Sequence, residues 1–348
     1  MHQKNTIHMT KNKVFVFTHT DLDGISCKIV ANAYFEEYRS FACNYEEVAD
    51  VMRKELFSLK NPTKETVTVL MSDLSYPQEC KDITEWLNNN CTLVVADHHK
   101  TSMWLRDELT TPHMLVESDG DRCGAVLLNQ ALKCSGFDRN ERIILSRFNE
   151  FLEYVNRWDT WLWTKPGYFK TELGENKPLV VCNALFALGE ERFIFTIERY
   201  LYGICNSMFM GDIKKEIRKY NRSQIKTIND VVDDYRTGSV ESESYGHLRF
   251  VCLNDGNHYQ SMIGLLASHR YKHLIPDFIL VLEDERASMR SPKPGIDLSI
   301  LAKEFGGGGH VEAAGIYWKD YKDKFLINSP WPNTPCLDDT TCSKDTAH

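Results

Sequence analysis

Short apolar runs alternate with amphipathic stretches through the first half of the chain. Val14 to Phe17, Thr66 to Met71 and Thr92 to Val95 are rich in β-branched residues and almost continuously apolar, the pattern of strands covered on both faces. Between them, Ile25 to Tyr38 and Pro77 to Asn88 have helical spacing, and Pro77 suits a helix start. This βαβα order predicts an α/β fold with a parallel, doubly wound sheet. Helical patterning continues over Cys123 to Cys134 and Glu141 to Asn156, and Gly167 to Pro178 reads as a loop.

Phe193, Ile197, Leu201, Ile204 and Met208 recur at spacings of three and four. So do Ile213, Ile217, Tyr220, Ile228, Val231 and Tyr235. They predict two amphipathic helices, the second long, forming a bridge between domains. Lys214, Lys215, Arg218 and Lys219 on that helix suit a solvated face or a face turned to a polyanion. Thr237 to Gly246 has no period and reads as a linker. A smaller α/β unit follows, with strands Leu248 to Leu253 and Phe278 to Leu282 and a helix Asp297 to Phe305 capped by Asp297. The expected organisation is a flexible N-terminus (1–12), a catalytic domain (13–189), a helical connector and linker (190–246), a second domain (247–329) and a flexible tail (330–348).

Composition narrows the function classes. The 348 residues are 42% hydrophobic and 26% charged, values of an ordinary globular chain long enough for two domains. No apolar run approaches the length of a membrane span, and Met1 to Asn12 lacks a signal core, so no membrane partner and a cytoplasmic location are expected. The 11 cysteines are odd in number, scattered and without a CxxC pair, which favours reduced, buried thiols over disulfides or a thiolate zinc site. A net charge of -8 speaks against gripping long duplex nucleic acid by charge, but suits acidic clusters that hold divalent ions.

Four clusters of metal-ligand chemistry follow expected elements. His19, Asp21, Asp23 and Gly24 come directly after the first strand, where ligands bind in open α/β sheets. Alternation along an extended stretch would point His19, Asp21 and Asp23 the same way. The same residues also suit a capping loop. Asp73 ends the second strand, a place where a lone Asp also serves as a cap or turn residue. Asp97, His98 and His99 end the third, where one histidine can bind metal while its neighbour faces substrate. Asp159 lies between Trp158 and Trp161, which would bury its carboxylate, and a buried carboxylate wants a cation or a helix-end salt bridge. Oxygen and imidazole donors without thiolate suit Mn, Mg or Fe, and also Zn. Ligands in this number suit a pair of ions, which together can activate water and neutralise a phosphoryl oxygen, with Asp73 as the bridging carboxylate. Farther on, Gly306 to Gly309 bare their backbone N–H groups before His310, and Arg290 and Ser291 close an expected strand. Glycines with a nearby Arg and His suit a phosphate, although a glycine run also makes a flexible loop.

These segments resemble the motifs of the DHH phosphoesterases. Asp97-His98-His99 matches the motif that names the family, residues 19–24 (HTDLDG) its first motif, Asp73 its second and Asp159 its fourth. Residues 306–310 (GGGGH) resemble the hallmark of the accessory domain DHHA1, and the likeness runs from about residue 13 to about residue 328. HTDLDG, ADHHKT, RWDTW and MRS followed by GGGGH are most similar to the oligoribonuclease (nanoRNase) branch. His19 stands two residues before Asp21, where several members place the histidine four before.

The resemblance implies one metal held by His19, Asp21 and Asp73 and a second held by Asp23, Asp73, His98 and Asp159. Two divalent ions are expected, Mn2+ first, with Mg2+ or Co2+ as substitutes. His99 would contact the scissile phosphate. Arg290, Ser291, Gly307, Gly308, Gly309 and His310 would bind the substrate phosphate or the terminal nucleotide. The implied partner is a short single-stranded nucleic acid or a small nucleotide, and a homodimer is compatible with the pattern. The implied activity is exonucleolytic hydrolysis of short oligonucleotides. The alternatives are a cyclic or linear dinucleotide phosphodiesterase, a 3′,5′-bisphosphoadenosine phosphatase, a longer-strand exonuclease of RecJ type, and a nucleotide-binding sensor without catalysis. The acidic charge and the absence of an OB-like segment weigh against the RecJ type. A complete ligand set weighs against the sensor.

Overall fold

The structure, a computed structural model, describes residues 12–118, 121–164, 177–254, 260–292 and 295–328. The expected flexible N-terminus, most of the 167–178 loop and the tail from 330 lie outside the described residues. The chain divides into two compact units, 1–221 and 222–348.

In the first unit the chain runs β1 (Lys13–Thr18), α1 (Leu22–Tyr34), β2 (Arg39–Ala42), α2 (Val48–Leu56), β3 (Val67–Ser72), α3 (Lys81–Asn90), β4 (Thr92–Asp97) and α4 (Leu105–Glu108). It continues through β5 (His113–Val116), α5 (Gly124–Cys134), α6 (Leu145–Asp159), α7 (Lys177–Leu188), α8 (Glu190–Leu201) and α9 (Gly211–Asp233), which runs on through the division. The five strands form a parallel sheet in the order β2-β1-β3-β4-β5. Strand alternation sends Val14 and Val16 into one core with α1 and α5 to α8. Phe15 and Phe17 enter the other with α2 and α3. Both faces are covered, which is why β1, β3 and β4 read as nearly continuous apolar runs. The strand order reverses between β1 and β3, and crevices beyond the carboxyl ends of strands at such a reversal are where open α/β sheets bind ligands.

The second unit contains β6 (Arg236–Ser242), β7 (Gly246–Asn254), α10 (Gln260–Arg270), β8 (Phe278–Leu282), β9 (Ala287–Arg290), α11 (Leu298–Glu304), β10 (Gly308–Gly309), β11 (Ala313–Ile316), α12 (Trp318–Tyr321) and β12 (Phe325–Asn328). Its sheet, ordered β10-β11-β9-β8-β7-β6-β12, is mixed, with β7 and β8 parallel and the other pairs antiparallel. One face packs on α11, with Leu298, Leu301 and Ala302 in the core. The other packs on α10 and the last turns of α9, with Ile228 and Val232. Asp297 caps α11 as expected, accepting from Ser299 N.

Several sequence expectations are corrected. The helix expected over Ile25 to Tyr38 stops at Tyr34, because residues 39–42 turn out to be the edge strand β2, which is half exposed and so lacks an apolar signature. Pro77 does not open a helix. It accepts from Cys80 N in a turn, and α3 begins at Lys81. Helix α6 starts at Leu145, later than expected, and continues to Asp159. Helix α8 ends at Leu201, before a left-handed Gly203, so Ile204 and Met208 lie beyond it. Tyr235 lies beyond the end of α9. The supposed linker at 237–246 is mostly strand β6, paired with β7 across Arg236–Ser242. Helix α8, expected in a connector, packs Phe193, Ile197 and Leu201 into the first unit's core. No helix among the described residues is long and apolar enough to cross a membrane.

Candidate metal centre

The carboxyl ends of β1, β3 and β4 meet the start of α5 and the end of α6, and the acidic and imidazole side chains gather there. His19, Asp21 and Asp23 do not follow extended alternation. Asp21 is instead the N-cap of α1, its Oδ1 accepting from Gly24 N at 3.0 Å, and Asp23 lies in the first helical turn. The turn is tight because Gly24 has no side chain, since a Cβ there would stand 2.1 Å from the His19 carbonyl oxygen. His19 Nδ1 lies 3.0 Å from Asp21 Oδ2.

Asp73 follows β3 with φ +57, an uncommon left-handed conformation for a residue other than glycine. Its N–H donates to Ala96 O at 2.9 Å, tying it to β4. Asp97 ends β4 and is fully buried. Its Oδ1 accepts from His99 N at 3.0 Å and lies 2.8 Å from His99 Nδ1, which fixes that ring. His98 is buried, with Nε2 3.3 Å from Asp159 Oδ2, 3.4 Å from Asp73 Oδ1 and 3.8 Å from Asp23 Oδ2. Asp159 is the last residue of α6, less enclosed than expected at 20% side-chain exposure. Trp158 stacks on Trp163, with ring centroids 4.8 Å apart.

Donor atoms within 4.8 Å of one another come from His19, Asp21 and Asp73, from Asp23, His98 and Asp159, and from Asp73, Asp97 and His99. Electrostatics favours a cation here. Burial first, and then the neighbouring Asp23 and Asp21, push the carboxyls of Asp73 and Asp159 well above the usual carboxylate range. Oδ2 of each is buried and accepts no hydrogen bond among the described residues. Buried oxygens in that state are costly, and a divalent ion would both satisfy and neutralise them. Asp21 behaves differently. Burial opposes its charge, but the His19 contact and the Gly24 amide hold it well below the usual range. Burial also opposes the charge on Asp97, yet the adjacent His99 holds its carboxyl at about 2. Oxygen and imidazole donors at a buried, partly uncompensated cluster fit hard or borderline divalent ions.

Three features were missed in sequence. The first turn of α5 cradles Asp23, with Gly124 N 2.5 Å from its Oδ2 and Ala125 N 2.9 Å from its Oδ1. Gly124 permits this approach, since a Cβ there would lie 2.7 Å from Asp73 Cβ and 2.9 Å from Asp23 Oδ2. Asn156, one turn before Asp159, accepts from Cys123 N at 2.8 Å and donates to Asp121 O at 3.1 Å, fixing the entry to α5. The Tyr45 ring lies 5.3 Å from that of His19 and 6.2 Å from that of His99. Only Asn156 had a sequence signal, its place in the segment around Asp159.

In the second unit, Arg290 ends β9 opposite Ala313 of β11, and His310 N donates to Ala313 O at 2.7 Å, so both flank one residue. Ser291 N donates to Glu312 O at 3.0 Å. Gly308 and Gly309 form β10 against Gly315 and Ala314. Packing accounts for two of these glycines: a Cβ on Gly307 would stand 1.9 Å from Gly315 O, and one on Gly309 2.6 Å from Ala313 O. The run is therefore a strand edge held close to β11.

No family model matches the chain. It is 24% identical over 312 residues to the oligoribonuclease NrnB of Bacillus subtilis (strain 168), covering 86% of this chain and 71% of that protein. It is 21% identical over 351 residues to a 3′,5′-cyclic-nucleotide phosphodiesterase of Helicobacter pylori (strain ATCC 700392 / 26695), covering 90% of this chain and 95% of that protein. Among solved structures, the DHH domain of a member of a ribosomal-protein family shares the fold, with a TM-score of 0.57 and 12% identity over 90% of this chain and 84% of that one.

Proposed function

On the premise that the chain is a DHH phosphoesterase related to the oligoribonuclease NrnB, we propose that it is a metal-dependent phosphodiesterase that hydrolyses short oligonucleotides to mononucleotides. The observation that carries this reading is the convergence of aspartate carboxylates and imidazoles at the sheet reversal, with the Asp73 and Asp159 carboxyls pushed toward protonation by burial and by one another's neighbours. His19, Asp21 and Asp73 would hold one divalent ion, and Asp23, His98, Asp159 and a shared Asp73 a second, with manganese the first choice and magnesium or cobalt as substitutes. Such ions, when bound, make water a nucleophile near neutral pH and polarise a phosphoryl oxygen.

The chain's own residues do the rest. The α5 amides hold Asp23 in one orientation, so a donor is already placed before any ligand arrives. Asp97 engages His99 Nδ1, and Nε2 is the ring nitrogen we assign to a phosphoryl oxygen. Arg290 and His310, with Ser291 and the amides of Gly307 to Gly309, are assigned to the substrate's phosphates, where a guanidinium binds by forked hydrogen bonds.

A second reading, a phosphodiesterase of cyclic nucleotides, is favoured by the likeness to the 3′,5′-cyclic-nucleotide phosphodiesterase over nearly its whole length. A substrate panel with manganese separates the two: dinucleotides, five-residue single strands, long single strands, 3′,5′-cyclic mononucleotides, cyclic dinucleotides and 3′,5′-bisphosphoadenosine. Fastest release of mononucleotides from five-residue strands and dinucleotides supports the first reading. Preference for the cyclic substrates supports the second, and inertness toward the whole panel refutes both.

A further inference from the structure

Away from the metal centre, a cavity of about 350 Å³ opens in the first unit between α6, the start of α7, the end of α8 and the first half of α9. Its size falls in the range of small-ligand pockets, about 300–1,000 Å³. Three kinds of surface meet in it. Val181, Ile217 and Phe209 give an apolar wall. Lys177, Lys214 and Arg218 bring cations, the last two one turn apart on α9. Asn221, on the next turn, brings an amide whose Oδ1 is buried and has no hydrogen-bond partner among the described residues.

Glu150 is the carboxylate in the lining, and two tyrosines already engage it. Tyr154 OH donates to it at 2.7 Å, and Tyr200 OH donates to its other oxygen. Both its oxygens are thus engaged, and three cationic side chains line the same cavity. A buried acceptor without a donor is unfavourable, so a ligand that brings an N–H to Asn221 gains on entry. The apolar wall suits a flat ring, and the cations suit a phosphate. Inorganic phosphate would meet only the cations.

We propose that this cavity is a second nucleotide site, separate from the metal centre, that takes a nucleoside monophosphate. The base edge bonds the Asn221 amide, the ring lies against Phe209 and Ile217, and the phosphate meets Lys214 and Arg218. The site shares helix α6 with the metal centre. Glu150 and Tyr154 line the cavity, and Asp159 ends the same helix, about 13 Å beyond Glu150 along its axis at 1.5 Å per residue. A monophosphate is what the proposed hydrolysis releases, so the site would report product, but its existence does not depend on that reading.

The test is calorimetric titration of adenosine 5′-monophosphate into the full-length Asp73→Asn variant, and into the unsubstituted protein with EDTA, so that the metal centre contributes nothing. Saturable binding near one equivalent is expected in both. Combining Lys214→Glu with Arg218→Glu should weaken it at least about tenfold, because charge-assisted bonds to phosphate are lost. Both side chains are exposed, so the substitutions remove no core packing. Inorganic phosphate should bind at least about tenfold more weakly than the nucleotide, for want of the Asn221 and ring contacts. The proposal is overturned by absence of nucleotide binding, by binding that the charge reversals leave unchanged, or by phosphate binding as tightly as the nucleotide.

Discussion

Asp23 lies under the first turn of α5 with His98 beside it and Asp159 beside His98, while Asp21 stands at the rim with His19, where Asp21 is 49% exposed and His98 3%. Both groups offer carboxylate and imidazole, yet the fold treats them differently. The inner carboxylates are crowded, and burial with the charges of their neighbours drives Asp159 and Asp73 toward protonation. The rim carboxylate is already satisfied by His19 and Gly24 N. An ion among the inner donors would therefore relieve strain that folding has built in, while an ion at the rim must compete with contacts already made. On the proposed two-ion reading, the difference predicts a tighter inner ion and a more exchangeable outer one.

The largest effect should come from Asp73, the residue proposed to serve both groups. Asp73→Asn should lower turnover by more than about a hundredfold, beyond the usual loss on removing a residue that only supports a metal ligand. Its unfolding midpoint in EDTA should match or exceed that of the unsubstituted protein, because a crowded carboxyl has been neutralised. Near-normal manganese-dependent hydrolysis by this variant would falsify the shared-ligand assignment.

The two groups separate in the next pair of variants. Manganese at about 100 times its Kd should stabilise the folded protein by about 2.7 kcal/mol, read as a rise in melting temperature. Asp159→Asn should abolish most of that rise, and raising the manganese concentration should not restore its turnover. Asp21→Asn keeps a side chain that caps α1 well. It should weaken apparent manganese affinity about 10–100-fold, with turnover restored as manganese increases. If Asp21→Asn is as unresponsive to added metal as Asp159→Asn, the inner and outer ions are equivalent and the contrast fails.

Much of this centre was legible because β1, β3 and β4 are buried on both faces. Their nearly continuous apolar runs mark where each strand stops, and the polar residue that follows stands out, as with Asp73 after Ser72. The route by which Asp21 and Asp23 converge was not legible, since a capped helix start and an extended stretch begin with the same letters. Edge strands hid for a related reason. β2, with sequence RSFA, and β5, with sequence HMLV, are short and partly exposed, so neither alternates cleanly or runs apolar long enough to stand out. Helix α7 is apolar on most sides and has no period to detect. In β6, Thr237 and Ser242 are buried although their types suggested a loop, and Ser242 donates to Glu304 across 62 residues. Features set by distant contacts, such as the α5 cradle for Asp23, have no local signature at all.

That cradle yields a smaller, sharper test. Gly124→Ala introduces a methyl that would stand 2.7 Å from Asp73 Cβ and 2.9 Å from Asp23 Oδ2, so helix and ligands must move apart. Overpacking of this kind costs about 1–3 kcal/mol of stability. Because the displaced groups are donors to both proposed ions, turnover should fall about 10–100-fold even where the protein remains folded. A variant destabilised by that amount but fully active when folded would show that the α5 amides merely pack against Asp23.

The smallest expected effect lies at the rim. Tyr45 reaches the centre from the segment between β2 and α2, with its ring against both His19 and His99. Aromatic pairs contribute about 0.5–1.5 kcal/mol beyond simple burial, so Tyr45→Ala should lower kcat/KM by about twofold to tenfold. Tyr45→Phe keeps the ring and should stay close to the unsubstituted protein. The rim is the more loosely held side, so the loss in Tyr45→Ala should shrink as manganese rises, in parallel with Asp21→Asn. If Tyr45→Phe loses as much as Tyr45→Ala, the hydroxyl rather than the ring is what matters, and Tyr45 contacts substrate instead of steadying the histidines.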